Sequence, residues 1–144
     1  MKLGTFFSMK EMCRTSTSIT NLPVTEQHTV NLTRLVALVL DPLRGDSGPI
    51  RVTSGYRSPK VNEAVGGAAT SYHMQGLAAD IQSDQFTAYE LAERIEFLAL
   101  PVDKVIVEYG DWVHVQIKPA GETNRTEYLV AEKVGSETHY RSMA

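Results

Sequence analysis

Apolar residues return at helical spacing after residue 25, where Val30, Leu35, Leu38 and Val39 share one face. Thr25 or Thr29 can cap the start of that helix. Its end is expected between Leu40 and Arg44, because Pro42 disfavours helix before it and Gly45-Asp46-Ser47-Gly48-Pro49 is turn chemistry. The pattern then changes to strict alternation, and Ile50-Arg51-Val52-Thr53-Ser54 reads as a strand. A long loop with Pro59, Gly66 and Gly67 follows, holding a helical turn around Lys60 to Val65. Leu77 to Ile81 is a short apolar strand that carries Asp80. Thr87 opens a second amphipathic helix with Leu91, Ile95 and Leu98 on one face, closed by Pro101. Lys104 to Glu108 and Trp112 to Ile117 flank Tyr109-Gly110-Asp111 as a hairpin, and Tyr128 to Glu132 adds a strand.

Residues 1–23 form an irregular Ser/Thr-rich lead-in whose Phe6, Phe7, Met9 and Met12 can pack on the body, and 135–144 is expected as a flexible polar tail. Helices first and clustered strands later predict one α+β domain over 1–144. A small antiparallel sheet would carry its helices on one face.

Composition narrows the function classes. A chain of 144 residues, 42% hydrophobic and 22% charged, can bury a core without disulfides. The net charge of -3 and the lack of a basic run argue against nucleic acid as a partner. Cys13 is the only cysteine, which rules out an internal disulfide and a Cys-rich zinc ribbon. No stretch approaches the roughly 20 apolar residues of a membrane span. The apolar run in Met1 to Ser8 is too short for a signal-peptide core. The expectation is a product made in the cytoplasm, without membrane insertion.

The candidate chemistry lies in two segments, Ser71-Tyr72-His73-Met74-Gln75-Gly76-Leu77-Ala78-Ala79-Asp80 and Asp111-Trp112-Val113-His114. Gly76 and the apolar run after it argue for a loop leading into a strand, with His73 and Asp80 converging. By alternation His114 faces the same side as Trp112 and Gln116. Imidazole and carboxylate suit zinc, and two histidines with one acid leave a fourth position for water. Such an open site activates water, whereas a closed one only staples a fold. His28 and His139 match no motif, and the glycines between Val65 and Thr70 lack the lysine of a phosphate loop.

These motifs resemble the M15 family of zinc metallopeptidases, the D-alanyl-D-alanine carboxypeptidase and phage endolysin group. Ser71, His73, Gly76, Ala78 and Asp80 match every specified position of the family signature Ser-x-His-x-x-Gly-x-Ala-x-Asp. Asp111-Trp112-Val113-His114 matches its acid three residues before a histidine. Val52 to Ser58 looks like its Ser-Gly-Tyr-Arg segment, and Asn62 to Gly67 resembles the loop of the small single-domain members.

The resemblance implies a Hedgehog/DD-peptidase-like fold and a zinc ion held by His73, Asp80 and His114. Asp111 would be the general base and Arg57 would stabilise the developing negative charge. Arg57 and Ser71 would meet the substrate, or Ser71 would support the ligands. Cys13 falls where an apolar residue is usual and is expected as a small buried hydrophobe. The implied function is hydrolysis of the peptide stems of bacterial peptidoglycan by a monomer, as a D-Ala-D-Ala carboxypeptidase. An L-Ala-D-Glu endopeptidase is the alternative within the class, and a non-catalytic zinc-binding module the alternative outside it. The lack of an export signal resembles the short phage or prophage members that act on the wall.

Overall fold

Six strands form one sheet in the order β1-β2-β4-β3-β5-β6 in the computed structural model, which describes residues 1–144. They are β1 (Ile50–Ser54), β2 (Ala78–Ser83), β3 (Lys104–Glu108), β4 (Trp112–Gln116), β5 (Glu127–Val134) and β6 (Glu137–Ser142). Every neighbouring pair is antiparallel except β3 and β5, which run parallel. The helices are α1 (Met9–Met12), α2 (Glu26–Leu35), α3 (Asp41–Ser47), α4 (Pro59–Ala64) and α5 (Ala88–Phe97). A π-helical turn, Val36–Leu40, joins α2 to α3, and a 3₁₀ turn, Tyr72–Gln75, precedes β2. No helix is long and apolar enough to cross a membrane.

Alternation along the strands separates two faces. Val52, Ala79, Ile81, Val105, Val107, Val113 and Val115 point to one side, where they join Leu32, Leu35, Val39, Leu91 and Ile95 in a continuous core. The opposite side carries Asp80, Lys104, Glu108, Trp112, His114 and Gln116. The core uses one face of the sheet, and the other is left for polar side chains. The α+β reading with helices on one face is therefore what the chain adopts.

Three local expectations differ from the structure. The first helix does not stop near Pro42 but continues through α3 to Ser47, ending at Gly48 with φ 78°. A proline in an ordinary α-helix clashes with the carbonyl four residues back. Here the preceding turn widens, and the Asp41 N–H donates to the Val36 carbonyl five residues back. Residues 135–144 are not a loose tail either. β6 pairs with β5 from Leu129↔Ser142 to Val134↔Glu137. Its polar composition reflects an exposed edge strand rather than absence of structure.

Cys13 is half-buried instead of fully buried, with its thiol 3.6 Å from the Met9 sulfur. The lead-in is tied down at several points. Phe7 and Met12 enter the core, and the Asp41 carboxylate accepts from the Thr5 and Phe6 N–H groups at 2.7 and 3.1 Å.

One histidine and one glycine act through the backbone. His28 lies in the first turn of α2, where its Nδ1 accepts from the Thr25 N–H at 3.0 Å while Thr25 Oγ1 accepts from His28 N–H. It completes a reciprocal cap. Gly55, just after β1, has no room for a side chain, since a Cβ there would lie 2.3 Å from the Met12 carbonyl oxygen. Gly55→Ala must displace backbone, not a flexible side chain. The expected cost is about 1–3 kcal/mol, read as a lower midpoint in urea denaturation of the metal-free protein.

Candidate metal centre

Register, more than loop conformation, assembles the site. Asp80 in β2 stands directly opposite His114 in β4, and cross-strand partners on one face approach closely. His73 reaches the same point from the 3₁₀ turn. Ser71 Oγ accepts from the His73 N–H at 3.2 Å, and Gly76 ends the turn in the left-handed region at φ 74°. A Cβ at Gly76 would also press on the His28 carbonyl at 3.0 Å, so the glycine in the motif serves both conformation and packing.

His73 Nε2 lies 3.3 Å and His114 Nδ1 3.2 Å from the same oxygen, Asp80 Oδ1. The ligand atoms of the three residues all lie within 4.8 Å of one another. Each imidazole is oriented from behind. The His73 Nδ1 is 2.7 Å from the Gly55 carbonyl, which can only accept, so Nδ1 carries the proton and Nε2 keeps its lone pair. His114 Nε2 is 2.8 Å from Gln116 Oε1, which leaves Nδ1 facing the cluster. Two nitrogen lone pairs and a carboxylate converge, a donor set that suits zinc with one position open.

Asp80 Oδ2 accepts from Arg57 Nη2 at 3.2 Å. Arg57 Nε also donates to Ser54 Oγ at 2.9 Å, and Nη1 to Asn62 Oδ1 at 3.3 Å. Three of the five N–H donors of the guanidinium are thus engaged, and two remain. Arg57 lines the cleft as expected, and it also holds the carboxylate ligand in place.

Burial alone would raise the Asp80 carboxyl, but hydrogen bonds from His114 and His73 in their protonated forms, and attraction to those charged rings, hold it far below the usual carboxylate range; a metal would take the place of those protons. Burial lowers the His73 imidazole and outweighs its bond to Asp80. Burial would lower His114 as well, but Asp80, Gln116 and Glu108 together raise it.

The cleft over these residues is lined by Arg57, Tyr72, Lys104, Glu108, Trp112 and Arg125, among others. Ser71 lines it too, while capping the turn under His73. Asp111 does not. It is exposed in the β3–β4 turn, where its carboxylate accepts from Gln82 Nε2 at 3.0 Å beside Arg51, Phe86 and Thr87. The assignment of Asp111 to the cleft is corrected on simple grounds. Asp111 and His114 are an odd number of residues apart, and successive strand positions point to opposite faces.

The acid that faces the cluster is Glu108, paired with Trp112 across the hairpin. It lies outside the group of converging ligand atoms. Burial raises its carboxyl, His114 draws it back, and Asp80 raises it further. A signal for Glu108 was present in the alternation of β4 and in a hairpin centred on Gly110, which together place residues 108, 112 and 114 on one face.

Residues 5–116 match the family model described as peptidase M15. The chain belongs to the M15 peptidase family. No curated protein matches it. The match ends with β4, so β5 and β6 of this M15 peptidase lie beyond it. Membership makes the protein a metallopeptidase, and His73, Asp80 and His114 are the residues able to hold its metal.

Metal binding should compete with protons at the imidazoles. Because His114 is raised, the loss of affinity on acidification should begin above the ordinary imidazole value of about 6.5. Zinc titrations of the metal-free protein between pH 5 and 8 would test this. The expected result is affinity that falls continuously as pH drops through that range; a flat profile would be inconsistent with imidazole ligands.

Proposed function

We propose that this M15 peptidase hydrolyses the peptide stems of bacterial peptidoglycan, with zinc held by His73, Asp80 and His114 and with Glu108 as the proton carrier. The observation that carries this reading is the position of Glu108, which faces the ligand cluster from β3 without joining it. A purely structural metal site needs no such acid, and this speaks against a non-catalytic zinc module.

Zinc in this site supplies Lewis acidity, polarising the scissile carbonyl and acidifying the attacking water. Glu108 accepts the proton from that water and returns it to the leaving amine. Its partial burial raises the carboxyl above the ordinary carboxylate value, the direction that suits a group taking up a proton and returning it. Arg57 keeps two N–H groups free for the carbonyl oxygen or for a substrate carboxylate. Ser71 keeps the His73 turn in shape at the edge of the cleft.

Cleavage of D-Ala-D-Ala follows if those spare donors of Arg57 bind the terminal carboxylate. A second reading, L-Ala-D-Glu endopeptidase activity, is favoured by the run of the cleft along the strands. It extends past His114 towards Lys104 and Arg125 at one end and towards Tyr109, Trp112 and Tyr140 at the other. Such a cleft accommodates chain on both sides of the bond. Either reading places the action at the wall, in the manner of a phage or prophage lysis enzyme.

The test is digestion of purified wall by zinc-loaded protein, with the released ends identified by mass spectrometry. Free D-alanine would indicate the carboxypeptidase, and new D-glutamyl amino termini the endopeptidase. Glu108→Gln should retain zinc and lose about 10²–10⁴-fold in kcat, while Asp111→Asn should stay within a few-fold of the wild type. Loss of activity in Asp111→Asn with Glu108→Gln unaffected would reverse the assignment. Zinc binding without release of any fragment would sink the enzyme reading.

A further inference from the structure

His114 is oriented by a chain of hydrogen bonds that leads away from the cleft and ends on an ion pair. Its Nε2 lies 2.8 Å from Gln116 Oε1. The Gln116 amide nitrogen donates to Asp103 Oδ2 at 2.8 Å. Asp103 has no exposed side-chain surface and is gripped by Arg125 through both oxygens. Arg125 Nη2 reaches Oδ2 at 2.8 Å, while its Nε and its backbone N–H reach Oδ1 at 3.1 and 2.8 Å.

The direction of this chain follows from donor and acceptor capacity. A carboxylate can only accept, so the Gln116 amide must turn its NH₂ towards Asp103. Its carbonyl oxygen then has to face His114. An oxygen at that position requires a proton on His114 Nε2; the Asp80 carboxylate, also an acceptor, faces Nδ1 at 3.2 Å, and with the Nε2 proton held by Gln116 it is Nδ1 that gives up its proton to a metal. The anion at one end of the chain thereby sets the tautomer at the other. Asp103 also donates its backbone N–H to the Gln116 carbonyl at 2.8 Å and accepts at its own carbonyl from Glu127 N–H, which fixes the spacing between the two side chains.

We propose that Gln116, Asp103 and Arg125 are positioning residues that hold His114 in its metal-binding tautomer. Arg125 lies in the loop before β5, beyond the segment that matches the family model. The metal centre is completed by a residue that the family motifs do not include. The inference rests on His114 being a metal ligand, and is independent of which bond is cut.

Asp103→Asn provides a sharp test because it alters one atom of the chain. Arg125 presents two donors at the Oδ1 position and one at Oδ2, so the asparagine oxygen should settle at Oδ1 and its NH₂ at Oδ2. Gln116 then flips to present its oxygen to that NH₂ and its own NH₂ to His114. The imidazole must accept through Nε2, and its proton moves to Nδ1, the nitrogen that would bind the metal.

Nitrogen-15 imidazole spectra of the metal-free proteins, recorded at the same neutral pH, should show a protonated Nε2 on His114 in the wild type and an unprotonated, accepting Nε2 with the proton on Nδ1 in Asp103→Asn. Zinc affinity, measured by competition with a chromogenic chelator, should fall about 10–100-fold in Asp103→Asn and in Gln116→Leu, with amide spectra confirming a folded chain. His73 should keep its tautomer throughout. Retention of Nε2–H on His114 in a folded Asp103→Asn, or wild-type zinc affinity in folded Gln116→Leu, would overturn the proposal. If the wild type itself failed to bind zinc, the ligand assignment would fall, and the imidazole spectra would still decide whether the chain sets the tautomer. If Asp103→Asn does not fold, Gln116→Leu carries the test alone.

Discussion

The two oxygens of Asp80 are divided between two tasks, and most of the polar face depends on that division. One oxygen meets both imidazoles and the other takes the Arg57 guanidinium. Through Arg57 the carboxylate is tied to Ser54 at the end of β1 and to Asn62 in α4. Through His73 it is tied to the backbone of Gly55, and through its register partner to β4. An anion this deeply buried would be costly alone. Removing one partner of such a buried pair typically costs about 3–5 kcal/mol, and the surrounding cations and donors are what keep Asp80 ionised. The same property makes it a good ligand, since a metal meets a carboxylate that is already deprotonated and aimed.

The parts of this arrangement legible in the sequence are those in which local pattern and chemistry agree. Alternation in Ile50 to Ser54 and Trp112 to Gln116, the cap at Thr87 and the glycine after His73 each name their own conformation. The convergence of His73, Asp80 and His114 was readable because a loop histidine, a strand acid and a strand histidine need only an antiparallel pairing to meet. Pro42 misled because its usual effect was absorbed by a wider turn upstream, a compensation spread over Val36 to Leu40 that single-residue rules do not contain. The β6 strand was hidden because an exposed edge needs no apolar side chains to be paired on its inner side.

The exchange of Asp111 for Glu108 has a different origin. A spacing motif treats an acid three residues before a histidine as near to it, which is sound on a helix and unsound across a turn into a strand. Tyr109 and Gly110 both adopt positive φ, at 56° and 68°, and reverse the chain within the turn. The reversal carries Asp111 to the sheet end and brings Glu108 opposite Trp112. The hydrogen-bonded chain to Arg125 lay further out of reach of sequence reasoning, because it depends on the parallel pairing of β3 with β5, a contact between segments more than twenty residues apart.

Packing of α2, α3 and α5 on one side of the sheet has a consequence for what can reach the centre. A fold that wraps both faces must admit its substrate through a mouth, end first. Here the polar face is bounded by the segment from Arg57 to Tyr72 on one flank and by the β5–β6 hairpin on the other, with the strands as its floor. A strand of polymer whose two ends are anchored in a mesh has no free end to thread. It can still be laid sideways onto an uncovered sheet.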